Sequence, residues 1–202
     1  MRLPDAGAVL GISASPRAGG NSDVLLRTIL EAAGQAGAGT ETVFLRDLNF
    51  QSCSGCEKCR KTGRCDGLAD DMTGIYPLLE ASAGLVLVTP IHHYNMTALM
   101  KAFIDRLYCY YEFGRARPGP WHSRLAGQGR RVVLAAVGEQ LGDEDRGMRL
   151  TLETLRLSVT ALGYDIAGEL SVTGVFGKGR VKQETAVLAQ ARELVRRLAL
   201  GL

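Results

Sequence analysis

The sequence predicts one α/β domain: a doubly wound, five-stranded parallel sheet in the order 2-1-3-4-5, covered by helices on both faces to make three layers. Three observations carry that reading. Short apolar runs rich in β-branched residues alternate five times with segments of helical periodicity, the pattern of repeated strand–helix crossovers. The runs are continuous rather than alternating, as in Gly84–Ile91 (GLVLVTPI), which suits parallel strands buried on both faces. The chain has 202 residues, 46% hydrophobic and 22% charged, enough for one domain of ordinary globular composition.

The elements follow in order. Ala8–Ser15 is the first strand and ends in a Ser-Pro-Arg-Gly turn. Ser22–Gly34 is helical, with Leu25, Leu26, Ile29, Leu30 and Ala33 on one face, and Asn21 or Ser22 is a suitable N-cap because a short oxygen-bearing side chain satisfies an orphan amide. Glu41–Asp47 is the second strand, followed by an irregular cysteine-rich insertion at about 52–70 and a helix over Asp71–Ala83. After the third strand, Gly84–Ile91, comes a helix over Thr97–Tyr108, with Leu99, Met100, Phe103, Ile104 and Leu107 as core and Lys101, Asp105 and Arg106 as surface or pairing residues. Arg115–Gln128 reads as a loop, Arg131–Gly138 as the fourth strand, Glu144–Leu162 as a helix, Asp165–Gly174 as the fifth strand and Lys182–Leu200 as the last helix. No linker or internal repeat divides residues 1–202, so the whole is read as one domain.

Composition excludes several classes. The net charge of +3, from 24 basic and 21 acidic residues spread evenly, argues against nucleic acid as a main partner. No apolar stretch approaches the ~18 residues of a membrane span. Ala6–Ile12 follows Asp5 with no basic segment beyond Arg2, so it reads as a buried strand rather than a leader, and a cytoplasmic location is expected. Glycine is the outlier, 25 residues against a typical ~7%, as expected where backbone turns tightly or approaches a ligand.

In an open α/β sheet, ligands bind beyond the carboxyl ends of strands where the strand order reverses. Here that point lies between the first and third strands, which puts the loops Ser13–Ser22 and Pro90–Thr97 beside it. The first reads SASPRAGGNS, neither a Walker loop nor G-x-G-x-x-G. It offers the hydroxyls of Ser13, Ser15 and Ser22, with Pro16, Arg17, Asn21 and the free amides of a helix N-terminus, a combination that suits a phosphate monoester. An ordinary strand-to-helix turn with a capping serine uses the same residue types; the position at the switch point favours phosphate. In the second loop, Pro90, Ile91, His92, His93, Tyr94 and Asn95 could pack a flat heteroaromatic ring against backbone amides. Adjacent histidines on extended backbone point in opposite directions, which makes His92 and His93 poor partners for one metal.

At these loops the resemblance becomes specific. G-I-S-A-S-P-R-x-G-G-N-S, then D-D-M, then T-P-I-x-x-x-N-M-T-A-x-x-K-A-F-I-D-R, in that order from about Val9 to Tyr108, resembles the flavodoxin-like NAD(P)H-dependent FMN reductases. The resemblance implies that Ser13, Ser15, Arg17, Asn21 and Ser22 hold the FMN phosphate and ribityl chain, that Pro90–Asn95 flank the isoalloxazine, and that Gly138 lies near the ring. His92 stands where relatives often carry tyrosine.

Four of the five cysteines form Cys53-x2-Cys56-x2-Cys59-x5-Cys65. Such clustering points to metal or redox chemistry where disulfides are disfavoured. Structural zinc draws paired cysteines from separate segments, whereas close x2 spacing is nearer to the wrapping of a [4Fe–4S] cluster. It also resembles the compact motif of iron–sulfur flavoproteins, a branch of the same family. Lys58, Arg60, Lys61 and Arg64 against Glu57 leave this stretch net cationic, which suits an anionic cluster. Zinc, free thiols and a disulfide remain alternatives, and Cys109 lies outside the run as a buried or interface thiol.

With no nucleophile or acid–base constellation, the chemistry is assigned to the flavin, with NAD(P)H as co-substrate and a quinone, flavin or protein as electron acceptor. The rival readings are a non-enzymatic iron–sulfur flavoprotein carrier fed by a ferredoxin-like donor, a redox sensor whose cysteines switch partner binding, and a cluster-free reductase. Tyr108, Tyr110, Tyr111, Phe113 and Trp121 crowd one stretch, and aromatics are enriched at interfaces, so a homodimer or homotetramer is expected.

Overall fold

The structure, a computed structural model, describes residues 8–116, 118–141 and 146–199. In chain order its elements are β1 (Val9–Ser13), α1 (Asn21–Gln35), β2 (Thr40–Phe44), the short α2 (Cys59–Thr62), α3 (Met72–Ala81), β3 (Gly84–Pro90), α4 (Ala98–Arg106), β4 (Tyr111–Phe113), β5 (Trp121–Ser123), β6 (Arg131–Val137), α5 (Arg146–Ala161), β7 (Asp165–Val172) and α6 (Thr185–Ala199). The main sheet has the order β2-β1-β3-β6-β7, parallel throughout. With the hairpin strands set aside, this is the expected 2-1-3-4-5 order.

Two apolar cores lie on the two sides of the sheet because side chains alternate along each strand. Leu10, Ile12, Leu85, Leu87, Val132 and Leu134 meet α3, α4 and α5. Val9, Val86, Val88, Val133 and Ala135 meet α1 and α6. Ser13 stands level with Phe44 on one neighbour and Val88 on the other, so the loops that follow β1, β2 and β3 all leave from one edge. No helix among the described residues is long and apolar enough to cross a membrane.

Several boundaries differ from the sequence reading. The second strand ends at Phe44, and Leu45–Asp47 turn as a 3-10 segment. Asn21 and Ser22 lie inside α1, and Gly20 is its N-cap with no side-chain cap. Thr97 is the N-cap of α4, its hydroxyl accepting from the Met100 N–H at 3.2 Å. The loop expected over Arg115–Gln128 is in part the second arm of an antiparallel hairpin, in which Phe113 pairs with Trp121; segments of three residues are too short to show a period in sequence. Residues 144 and 145, expected at the start of the fourth helix, and residue 200, expected in the last, lie outside the described residues.

Candidate functional site

A cavity of about 180 Å³ lies at the carboxyl edge, between the loops that follow β1, β3, β6 and β7. The two predicted loops meet there. Ser15, Arg17, Asn21 and Ser22 form one wall, Pro90, Ile91 and His92 another, and Gly138 a third. Val175 and Phe176, from the loop after β7, complete it. Sequence reasoning missed these two; an apolar pair between glycines beyond a strand's carboxyl end was the available signal.

The first loop is held from beneath. Ser13 is fully buried and faces down, its hydroxyl donating to Asp23 at 2.6 Å. The Gly19 N–H donates to the other Asp23 oxygen at 2.7 Å, at a φ of +68° that glycine adopts without strain. Asp23 is itself buried and paired with Arg46 at 3.0 Å. Arg46 lies over the Phe44 ring, 4.4 Å from its centroid, and donates to the Ser15 carbonyl at 3.2 Å. Asp23 and Arg46 were missed as well, because their pairing joins α1 to the end of β2. Asn21 ties the loop to the far end of the chain, donating to the Gly177 carbonyl at 3.0 Å and accepting from the Val181 N–H at 3.1 Å.

A side-chain bond does not cap α1, yet its first turn is buried at Asn21 and Ser22. Helix-terminal amides have no intrahelical partner, and a phosphate satisfies that combination of amides and dipole. Gly20 keeps the cradle open: a Cβ there would stand 2.9 Å from Ser15 Oγ and 3.0 Å from the Arg17 carbonyl oxygen. Pro16 is exposed beside the cavity.

The second loop is not the extended segment its sequence suggests. His92 and Asn95 exchange backbone bonds at 2.8 and 3.1 Å, and His93 and Tyr94 between them have φ of +48° and +67°. This is a mirror-image two-residue turn, normally the province of Asn-Gly. Left-handed backbone at such residues costs of order 1–3 kcal/mol each and clusters at ligand sites. His92 stays on the cavity wall, while His93 and Tyr94 form the tip, with Tyr94 67% exposed.

The four clustered cysteines line one other cavity, of about 280 Å³, together with Gly67, Asp105 and Tyr108. Cys56 Sγ rests on Gly67, where a Cβ would stand 2.5 Å from the sulfur. The Lys58 backbone N–H and the Ser54 hydroxyl lower the Cys56 thiol from its ordinary value. Burial raises Cys59, and its three cysteine neighbours raise it further. Cys109 is buried behind the group, its thiol pushed up to about 12 by burial and then by Cys65 and Cys59. Among the described residues no three His, Cys, Asp or Glu side chains converge on a point where one metal ion could sit.

The cysteine segment leaves the carboxyl end of β2 but comes to rest against the far end of α4. The N-cap of that helix, Thr97, is pinned to the carboxyl edge, donating to the Ala14 carbonyl at 3.0 Å. Asp105, on the cysteine cavity, lies about 12 Å further along at 1.5 Å per residue, and Tyr108, also on that cavity, lies beyond the end of the helix. The two cavities share no wall residue. Arg106, expected as a surface or pairing residue, is paired and buried: it forks onto Asp70. The D-D-M and F-I-D-R motifs thereby meet. The hairpin folds over the same segment, with Arg60 stacked 4.0 Å from the Phe113 centroid and Arg124 donating to the Gly63 carbonyl at 2.7 Å.

The chain is similar to several known proteins. An iron–sulfur flavoprotein of Methanocaldococcus jannaschii is 35% identical over 98 residues, 48% of this chain and 50% of that protein. One from Archaeoglobus fulgidus is 26% identical over 171 residues, 82% of this chain and 80% of that protein. In the matches at 35–36% identity the chain spans about half the length of the relative. Among solved structures, the NAD(P)H:quinone oxidoreductase from Methanothermobacter marburgensis superposes with a TM-score of 0.71 at 20% identity, over 96% of this chain and 99% of that one. An FMN-dependent NADH-azoreductase from Bacillus anthracis in complex with FMN superposes with a TM-score of 0.70 at 17% identity, over 96% of this chain and 100% of that one. These two similarities speak to the fold, which is flavodoxin-like. The model of the NADPH-dependent FMN reductase family matches residues 8–164, a stretch that holds both cavities except the loop after β7, and the chain belongs to that family.

Proposed function

We propose that the chain is an FMN-dependent oxidoreductase that takes electrons from NAD(P)H and delivers them to a quinone, flavin or protein acceptor, with a [4Fe–4S] cluster on Cys53, Cys56, Cys59 and Cys65. The observation that carries the FMN reading is the uncapped, buried start of α1, opening into a cavity that both predicted loops build. Arg17, Ser15, Ser22 and the first-turn amides would hold the phosphate, with Asn21 tying their loop down and Ser13 bracing it from below. Pro90, Ile91, His92, Gly138 and Phe176 would flank the ring, and His93, Tyr94 and Asn95 set the turn that presents His92. At 180 Å³ the cavity is smaller than the ~300–1,000 Å³ that encloses a drug-sized ligand. It would hold the phosphate end, with the ring left accessible to a nicotinamide, an acceptor or a second subunit. Bound FMN supplies hydride acceptance and one-electron release; the chain supplies position, the exclusion of water along one face and the positive end of α1.

The cluster reading is supported by four thiols around one cavity, the sulfur seat at Gly67 and the iron–sulfur flavoproteins among the relatives. Four cysteines around one cavity suit a cluster in which each would hold a different iron. A homodimer or homotetramer, in an intracellular setting, belongs to the same reading. Trp121, 52% exposed, and the hairpin beside the cysteines offer the apolar surface, although Tyr110 is buried in its own subunit and contributes none.

Anaerobic purification with a UV–visible spectrum, flavin release, and iron and sulfide counts tests both cofactors, and turnover of NADH and NADPH with a quinone tests the enzyme. One FMN, four irons and turnover are expected. Flavin without turnover would move the reading to an electron carrier, and turnover without iron to a cluster-free reductase.

A further inference from the structure

The Asp70–Arg106 pair takes no part in the FMN cavity, and its side chains are almost wholly buried. One guanidinium joins the two ends of the cysteine segment. Arg106 Nη1 donates to the Gln51 carbonyl at 2.9 Å, and Nη1 and Nη2 together fork onto the Asp70 carboxylate, the Nη2 bond at 2.9 Å. Asp70 also accepts from the Gln51 N–H at 3.1 Å and the Met72 N–H at 3.2 Å. Residues 51 and 70 thus close a neck, and the four cysteines lie on the loop beyond it.

The remaining guanidinium nitrogen, Nε, is buried and has no hydrogen-bond partner among the described residues. Buried polar groups are nearly always satisfied, so this one marks a place where an acceptor belongs. Cys65 is a neighbour of this side chain: it interacts with the Arg106 guanidinium and the Tyr76 phenol and shares a cavity wall with Tyr76. A thiol sulfur accepts weakly, but an ionised acceptor makes a markedly stronger bond.

We propose that Arg106 is a positioning residue for the cysteine centre: with Asp70 it clasps the neck of the loop, and it donates Nε–H to the Cys65 sulfur when that sulfur ligates iron. The inference rests on the cluster reading and deepens it. Hydrogen bonds to ligand sulfurs and nearby charge set the reduction potential of a cluster. The same side chain therefore governs both loop shape and redox poise.

The test uses the full chain with FMN bound and compares wild type, Arg106→Lys and Asp70→Asn. Hydrogen exchange over residues 52–69 is measured on the iron-free forms. Chelator-driven iron release and a potentiometric titration followed by low-temperature EPR are measured after anaerobic reconstitution. Both variants are expected to exchange and to lose iron ~10-fold faster, the scale of losing an outer-shell partner. Their potentials are expected to move apart: down in Arg106→Lys, which lacks the fork and Nε, and up in Asp70→Asn, which loses an anion. Folded variants with wild-type exchange, iron release and potential overturn the proposal while leaving the cluster reading intact. Potential shifts of one sign in both variants overturn the donor role. Should Arg106→Lys fail to fold, Asp70→Asn alone still reads exchange and the sign of its shift. A wild type that takes up no iron removes the cluster reading and the donor role together, and exchange then decides the clasp.

Discussion

Arg17→Ala separates phosphate recognition from folding. Arg17 is exposed, and the bonds that shape its loop are made by its backbone: its N–H donates to Ser15 Oγ at 3.2 Å, and its carbonyl accepts from the Gly20 N–H and Ser15 Oγ, each at 3.0 Å. Alanine keeps all three. Stability without cofactor should therefore stay within about 0.5 kcal/mol, as for exposed sites. One charge-assisted bond to a phosphate contributes about 1.5–3 kcal/mol, which corresponds to roughly a 10- to 150-fold weaker Kd for FMN. Flavin-fluorescence titration of the cofactor-free protein measures it, with riboflavin as control. Riboflavin lacks the phosphate, so its affinity should be the same in both proteins. An FMN affinity unchanged by the substitution, or an equal loss for riboflavin, would refute the assignment of Ser15–Ser22 as the phosphate loop.

Arg46→Met leaves Asp23 buried without its cation, and urea unfolding should show a loss of about 3–5 kcal/mol; a loss under 1 kcal/mol would mean that the Ser13 and Gly19 bonds hold the carboxylate unaided. In Gly67→Ala the new Cβ would stand 2.5 Å from Cys56 Sγ, so iron uptake on reconstitution should fall several-fold with Tm and FMN affinity near wild type, and full iron loading would contradict the seat. Burial pushes the Asp70 carboxyl up, but the bonds from Arg106 and the Gln51 N–H outweigh it and hold it below the usual range. A depressed folded pKa gives stability that is present above the unfolded value of ~3.9 and lost below it. The urea-unfolding difference between wild type and Asp70→Asn should thus be constant from about pH 7 to 5 and shrink below about 4; a difference that shrinks between pH 7 and 5 instead would assign it to another group. Light scattering at micromolar protein with FMN bound should give a dimer or tetramer mass, and a monomer would return the exposed Trp121 hairpin to its own subunit.

The local pattern of the chain determined the sheet. Continuous apolar runs such as GLVLVTPI suit strands buried on both faces, and the helical segments between them suit the crossovers of a parallel sheet. It also marked the two carboxyl-edge loops and the cysteine run, since Ser, Arg and Cys at short spacing carry their chemistry locally. The strand ends and helix starts that it misplaced, at Phe44 and Gly20, depend on where a neighbouring element stops. What tertiary structure decided is how distant residues pair. Asp23 with Arg46 and Asp70 with Arg106 are ion pairs across 23 and 36 positions, and no periodicity reports them because each partner's own neighbourhood is ordinary. The turn at His93–Tyr94 departs from the extended backbone its residue types prefer, because the bonds between His92 and Asn95 override local propensity. Phe176 reaches the cavity only because β7 ends beside β6. The cysteine loop lies against the far end of α4, rather than over the sheet edge from which it departs, and Arg106 meets the Gln51 carbonyl and Asp70 at its neck there.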